Sequence, residues 1–195
     1  MVFVALEGFS GTGKTSIAKA LEERGWLRLT ESAHAVPKMV PVAERADTFA
    51  DYSLLGATMV YCSVIAAMRK KRDIVSEGYL LSDLAYARIR YDLDKSLAFP
   101  AMLSVCKSIL KEPALRPDLY ILLEARPDTI ESRQRRKNSR EKNVTEYFRT
   151  RYYSALTEIH RRLGEDRVER IFTDSRVNET LGQVLRTLKE RGLAV

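Results

Sequence analysis

Short apolar runs alternate along the chain with longer segments of helical periodicity. The runs are Val2–Glu7, Trp26–Glu31, Asp73–Glu77, Asp118–Glu124 and Arg170–Asp174. Between and after them, Ser16-Ile17-Ala18-Lys19-Ala20-Leu21 reads as helix, and Leu181, Val184, Leu185 and Leu188 recur at i, i+3, i+4 and i+7. Strands that alternate with helices predict an α/β fold, a five-stranded parallel sheet with helices on both faces. Pro37, Pro41, Pro100, Pro113 and Pro117 mark loops. In such a sheet ligands bind outside the carboxyl ends of the strands, and all five runs end at or near an acid: Glu7, Glu31, Glu77, Glu124 and Asp174. Each acid also suits a helix cap or a turn, so the ring by itself marks only a place.

That place acquires chemistry from Gly8-Phe9-Ser10-Gly11-Thr12-Gly13-Lys14-Thr15, which fits GxxxxGK[ST] between an apolar strand and a helix. Glycines let the main chain curl so that successive N–H groups of Gly8, Ser10, Gly11, Thr12, Gly13 and the following residues face phosphate oxygens. The helix opening at Lys14-Thr15-Ser16 adds its positive end. Lys14 is expected to reach the outer phosphates of ATP, and the Thr15 hydroxyl to bind Mg²⁺. No NKxD guanine signature is present, and the third run ends Val75-Ser76-Glu77 rather than in an apolar stretch closed by Asp. Weight therefore shifts from a switch that hydrolyses its nucleotide toward transfer to a small acceptor. A phosphate-loop ATPase or switch with a nucleic-acid or protein partner is the alternative of another class.

The 195 residues, 45% hydrophobic and 30% charged, suit one soluble domain spanning 1–195. Charge is unevenly spread. The chain has 33 Lys and Arg against 26 Asp and Glu, a net of +7, and eight of those cations fall between Arg133 and Arg151 against only Glu141 and Glu146. Arg133, Arg136 or Lys137, and Arg140 recur on one helical face. A solvated basic helix and a nucleic-acid patch both produce such a run. With a phosphate loop in the same chain, a short lid over residues 133–143, closing arginines onto the phosphates, is preferred, and no nucleic-acid partner is expected. Tyr52 to Met68 is the longest uncharged run; it is short for a membrane span and carries Ser53, Thr58, Tyr61 and Ser63, so a buried helix is expected and no membrane. The amino-terminal apolar stretch has no basic flank, and Cys62 and Cys106 have neither disulfide-scaffold nor metal-ligand spacing, so a cytoplasmic setting is expected.

In order along the chain, these segments resemble the thymidylate kinase-like group of P-loop nucleotide kinases, which includes the deoxynucleoside kinases. Ala5-Leu6-Glu7-Gly8 resembles the group's entry to its phosphate loop, and Glu77-Gly78-Tyr79-Leu80-Leu81-Ser82-Asp83-Leu84-Ala85-Tyr86 is similar to its DRYxxSSLAY stretch. Arg116-Pro117-Asp118-Leu119-Tyr120-Ile121-Leu122-Leu123 is similar to RPDLTIYLD, and Arg133 to Glu141 resembles its lid. Phe148 with Arg151 and Tyr152 or Tyr153 resembles the helix after that lid, and Thr173-Asp174 the lead into its adenine-side loop.

The departures lie on the acceptor side. Gly78 stands where both branches of the group carry an arginine, Gly56 where an aromatic stacks on the acceptor base, Val60 where a second arginine lies, and Thr30-Glu31-Ser32 lacks a third. The resemblance implies ATP and Mg²⁺, with Lys14, Arg133, Arg136 and Arg140 acting on the phosphates and Asp174 near the adenine. Glu77 is base or metal ligand. Glu31, Tyr52, Gly56, Tyr79, Tyr86 and Arg88 are the candidates for the acceptor pocket. The acceptor expected is a nucleoside monophosphate. The missing cations keep a nucleoside or a non-nucleotide alcohol open, because a desolvated phosphate needs compensating charge. The resemblance also allows a homodimer through the uncharged Tyr52–Met68 helix.

Overall fold

The computed structural model describes residues 1–31, 48–94, 98–136 and 146–193. Five strands, β1 (Phe3–Glu7), β2 (Leu27–Leu29), β3 (Ile74–Glu77), β4 (Leu119–Glu124) and β5 (Val168–Phe172), pair in parallel in the order β2-β3-β1-β4-β5. The described helices are α1 (Lys14–Glu22), α2 (Thr48–Met68), α3 (Leu80–Asp94), α4 (Ala98–Ile109), α5 (Pro127–Arg136), α6 (Glu146–Leu163) and α7 (Val177–Glu190). The expected α/β class with a five-stranded parallel sheet is what forms.

Strand alternation decides which side chains meet which layer. Val4 and Leu6 of β1, with Leu119, Ile121 and Leu123 of β4, pack against Ile17, Leu21, Leu181, Val184 and Leu188 of α1 and α7. Phe3 and Ala5, with Tyr120 and Leu122, face a larger cluster from α2, α3, α4 and α6 that includes Ile65, Leu84, Met102 and Leu156. Central β1 is buried throughout, which is why its five residues run apolar until the terminal acid. At the amino end of the sheet Arg69 clasps the approach to β4, donating to the carbonyls of Pro113, Ala114 and Arg116 and to Asp118. The carboxyl end is left for the loops that follow β1, β3 and β5.

Two expectations change. The last strand begins two residues earlier than the apolar pattern implies, because Val168 pairs with Tyr120; Thr173 keeps one ladder bond to Glu124 O but turns its side chain to the phosphate loop. The Tyr52–Met68 segment is helical but not wholly buried. Its window Asp51–Met68 has the length and apolar composition of a membrane span, with a third of it buried. Leu54, Leu55, Cys62 and Ile65 face the core, while Tyr52, Met59 and Val60 lie exposed on the opposite side. A run with no charge on either face gave no signal of which face would be covered.

Candidate active site

Gly8 begins the turn with φ +151°, and a Cβ there would stand 2.5 Å from Leu123 O and 2.7 Å from Thr12 Oγ1. Only glycine lets the loop lie this close to β4. Thr12 closes the turn on itself, its amide and hydroxyl both reaching Phe9 O, at 3.2 and 2.8 Å. Gly13 caps α1 without a side chain, so the first-turn amides of Lys14, Thr15 and Ser16 have no side-chain acceptor at the cap. Lys14 is buried; its ammonium donates to Gly8 O at 2.6 Å and lies 3.7 Å from Glu31.

From β3 comes Glu77, a fully buried carboxylate that meets the loop. One of its oxygens accepts the Thr15 hydroxyl at 2.5 Å, and the other takes the Nε of Arg28 at 2.5 Å. Arg28 lies on β2, the neighbour of β3 in the sheet, and also pairs with Glu22 at 3.2 Å. A hydroxyl and a carboxylate oxygen at one point are the hard donors that magnesium takes from a protein, the rest of its shell coming from phosphate and water. The residues present therefore fit a phosphate-bound magnesium ion.

A cavity of about 260 Å³ opens over the loop. Ser10 to Ile17 form its floor, Glu31 one wall, and Arg133, Thr173, Ser175, Val177 and Thr180 the other. Thr173 donates to Thr12 O at 2.7 Å, locking the end of β5 to the loop. The Arg133 guanidinium reaches Gly11 O at 3.3 Å and both the hydroxyl and the carbonyl of Thr173, and Gln134 donates to Ser10 O at 3.1 Å. The first turns of the basic segment are thus already seated on the phosphate loop. Arg136 ends α5, and Arg140 lies outside the described residues, as does most of the expected lid.

The remaining candidates divide. Tyr86 is half-buried beside the loop, its ring 6.4 Å from Phe9 and 5.3 Å from Tyr152. Glu31 follows Thr30, whose hydroxyl meets Tyr61 of α2 at 3.1 Å. Tyr79 belongs to the core instead of the pocket: its ring edge packs 5.3 Å from Phe3, and its hydroxyl donates to Leu115 O, before β4. Burial raises its phenol far above the ordinary value. Arg88 is engaged on α3 and α6, with Asp92 and with Glu158 at 3.1 Å, and lies over Tyr91 and Phe99. Tyr52 and Gly56 lie on exposed positions of α2, and a Cβ at Gly56 would meet nothing within 4 Å. Of the strand-end acids, Glu124 pairs with Arg170 at 3.1 Å. Asp174 accepts the Arg126 amide at 3.1 Å and is held below the usual carboxylate range mainly by the Thr129 hydrogen bond. Arg28 and Gln134 escaped the motif reading. Arg28 carries only the signal of a cation inside an apolar strand run.

No protein-family model matches the chain. It is 24% identical over 212 residues to the thymidylate kinase of Halalkalibacterium halodurans, covering 97% of this chain and 96% of that one. A probable thymidylate kinase of Pyrobaculum aerophilum is 27% identical over 157 residues, 73% of this chain and 74% of the relative. Among solved structures, a thymidylate kinase from Candida albicans superposes with TM-score 0.74 at 15% identity, covering 98% of this chain and 92% of the other. Deoxyadenosine kinase from M. mycoides with bound dATP superposes with TM-score 0.66 at 16% identity, covering 95% and 98%. The structural matches establish the fold as that of these kinases. Together with the curated relatives they support the thymidylate and deoxynucleoside kinase-like P-loop family, and with it a phosphotransferase.

Proposed function

We propose that the chain transfers the γ-phosphoryl group of ATP to a nucleoside monophosphate. The carrying observation is that one cavity is lined by Glu31, the phosphate loop, Arg133 and Thr173, and that Thr15 of its lining meets Glu77 at 2.5 Å. The amides of Gly11 to Thr15 and the Lys14 ammonium bind the phosphates. Arg133 and Val177 flank the nucleoside of the donor. Thr15 and Glu77 would hold magnesium, which when bound would neutralise charge on the transferring group. Glu77 is paired with Arg28 and therefore serves this role better than that of a base.

A specific observation favours a second acceptor, a nucleoside. Gly78 has φ +72°, and its Cβ position faces Glu31 Cγ at 3.8 Å, so position 78 brings no cation to the space beside Glu31. A hydroxyl acceptor needs a base, and Glu31 lines the cavity and takes that role once bound phosphate draws the Lys14 ammonium from it. ATP consumption against nucleosides, their monophosphates and simple polyols separates the readings. Acceptor-dependent ADP release confirms a kinase and names its acceptor; release indifferent to every acceptor refutes transfer and leaves an ATPase. Lys14→Ala should abolish the transfer in folded protein. A second copy is proposed to cover the exposed Tyr52, Met59 and Val60 of α2, in a cytoplasmic enzyme; a monomer in sedimentation equilibrium at micromolar concentration overturns that.

A further inference from the structure

Glu7 ends β1, immediately before Gly8, with none of its surface exposed. A carboxylate taken out of water is costly unless donors meet it. Three do so here. The Tyr79 amide donates to one oxygen at 3.1 Å, and the Ser82 amide to the other at 3.1 Å, joined there by the Ser82 hydroxyl. Both amides lie at the amino end of α3, where a helix leaves its N–H groups unpaired. A side chain of the central strand thus caps a helix that follows the neighbouring strand, and its charge suits the positive helix end.

The turn held in this way is the one that carries Glu77. Gly78 N–H donates to Leu6 O at 2.7 Å, tying the turn after the acid to the end of β1, and Ser76 Oγ donates to Gly78 O at 2.5 Å, closing that turn across Glu77. The Ser82 hydroxyl hydrogen is committed to Glu7. The Tyr152 hydroxyl, 2.8 Å from Ser82 Oγ, must therefore donate to it. A buried line runs from Tyr152 on α6 through Ser82 to the residue that launches the phosphate loop. At its amino end α6 is tied by Arg149 to Glu131 of α5, two residues before the Arg133 that seats on the loop.

We infer that Glu7 is a positioning residue for phosphoryl transfer: through Tyr79 and Ser82 it sets where the β3–α3 turn holds Glu77 against Thr15, and Tyr152 extends that setting to α6. The inference rests on the phosphotransferase reading of the site. A neutral amide of the same shape keeps the packing but must point hydrogens at donors on one side, so the turn shifts. A displacement of about 1 Å in a reacting assembly costs up to roughly a hundredfold in rate. Ionised Glu7 is the working form. Lys14 of α1, Asp83 of α3, Tyr152 of α6 and Tyr120 of β4 face it electrostatically. Burial is the largest influence and raises its pKa to about 7, against the lowering by Ser82.

The test compares wild type with Glu7→Gln, each verified as folded by circular dichroism. Calorimetry measures ADP affinity with and without magnesium, and acceptor-dependent ADP release gives kcat from pH 6 to 8. The expected variant binds metal-free ADP within about twofold of wild type, loses most of the affinity gained on adding magnesium, and has kcat lowered roughly tenfold to a hundredfold. Its profile is flat where wild-type kcat rises toward pH 8. A variant with wild-type kcat and the wild-type pH profile overturns the inference and leaves the kinase reading standing. Wild type that transfers to no acceptor overturns both. If Glu7→Gln does not fold, Tyr152→Phe carries the test: kcat lower by about fivefold at unchanged KM for ATP supports the line, and wild-type kcat refutes it.

Discussion

Replacing Arg28 by methionine isolates what holds Glu77 in the sheet. Methionine keeps most of the apolar stem and removes the guanidinium that lies 2.5 Å from a carboxylate with no exposed surface. Breaking a buried pair from one side costs about 3–5 kcal/mol, because the surviving charge is left uncompensated. Arg28 is 15% exposed and Thr15 still donates to the second oxygen, so the lower end, about 3 kcal/mol, applies. For a chain of this size that corresponds to a fall in Tm of roughly 6–12 °C. Glu77→Gln should cost less, about 1 kcal/mol, since Arg28 keeps Glu22 and water. The double variant should recover part of the loss, with a coupling energy of about 2 kcal/mol. Thermal and urea unfolding of the four proteins without nucleotide closes the cycle. A Tm drop under about 2 °C for Arg28→Met, or coupling below roughly 0.5 kcal/mol, would show that the pair does not anchor Glu77.

Three further outcomes are expected. Gly8→Ala places a methyl group against Leu123 O at 2.5 Å in a backbone region that side chains avoid; about 3 kcal/mol of stability and most nucleotide affinity should go, and near-wild-type melting would refute the close approach. Arg133→Ala removes the bridge between Gly11, Thr173 and the cavity, so the KM for ATP should rise about tenfold, as measured by steady-state kinetics; an unchanged KM removes Arg133 from donor binding. For pH, two buried groups act in opposite senses. Glu7, raised by burial from 4.5 to about 7, holds its proton more tightly in the folded state, so its contribution falls by about 3 kcal/mol as pH rises from 4.5 to 7. His160, lowered by burial from 6.5 to about 4, contributes stability that is lost as pH falls from 6.5 through 4. Urea unfolding across this window should therefore show Glu7→Gln losing stability on acidification more steeply than wild type; parallel curves refute the assignment.

How much of this was legible beforehand depends on whether a residue's neighbours are close in sequence. The phosphate loop was legible because its work is done by the local main chain: glycines, an amide series and the helix behind it follow from eight consecutive residues. The strands were legible as short apolar runs between helical segments, except at the edge, where one-sided burial blurs the bounds of β5; which layer each side chain faces was not. The basic segment announced itself by charge, but that Arg133 would reach the Gly11 carbonyl and Thr173 was not in the charge pattern.

Tertiary structure alone decided the pairings. Arg28 and Glu77 stand 49 positions apart and meet only because β2 lies beside β3. Glu7 and Ser82, 75 apart, meet because β3 follows β1 in the sheet and α3 starts above it. Tyr79 entered the core, and one face of α2 stayed exposed, by the angle at which each element docked. The linear chain specifies the periodicities and the phosphate-binding curl, since both arise within one element. Which acid takes which cation is a matter of strand order, a property that no single stretch of residues contains.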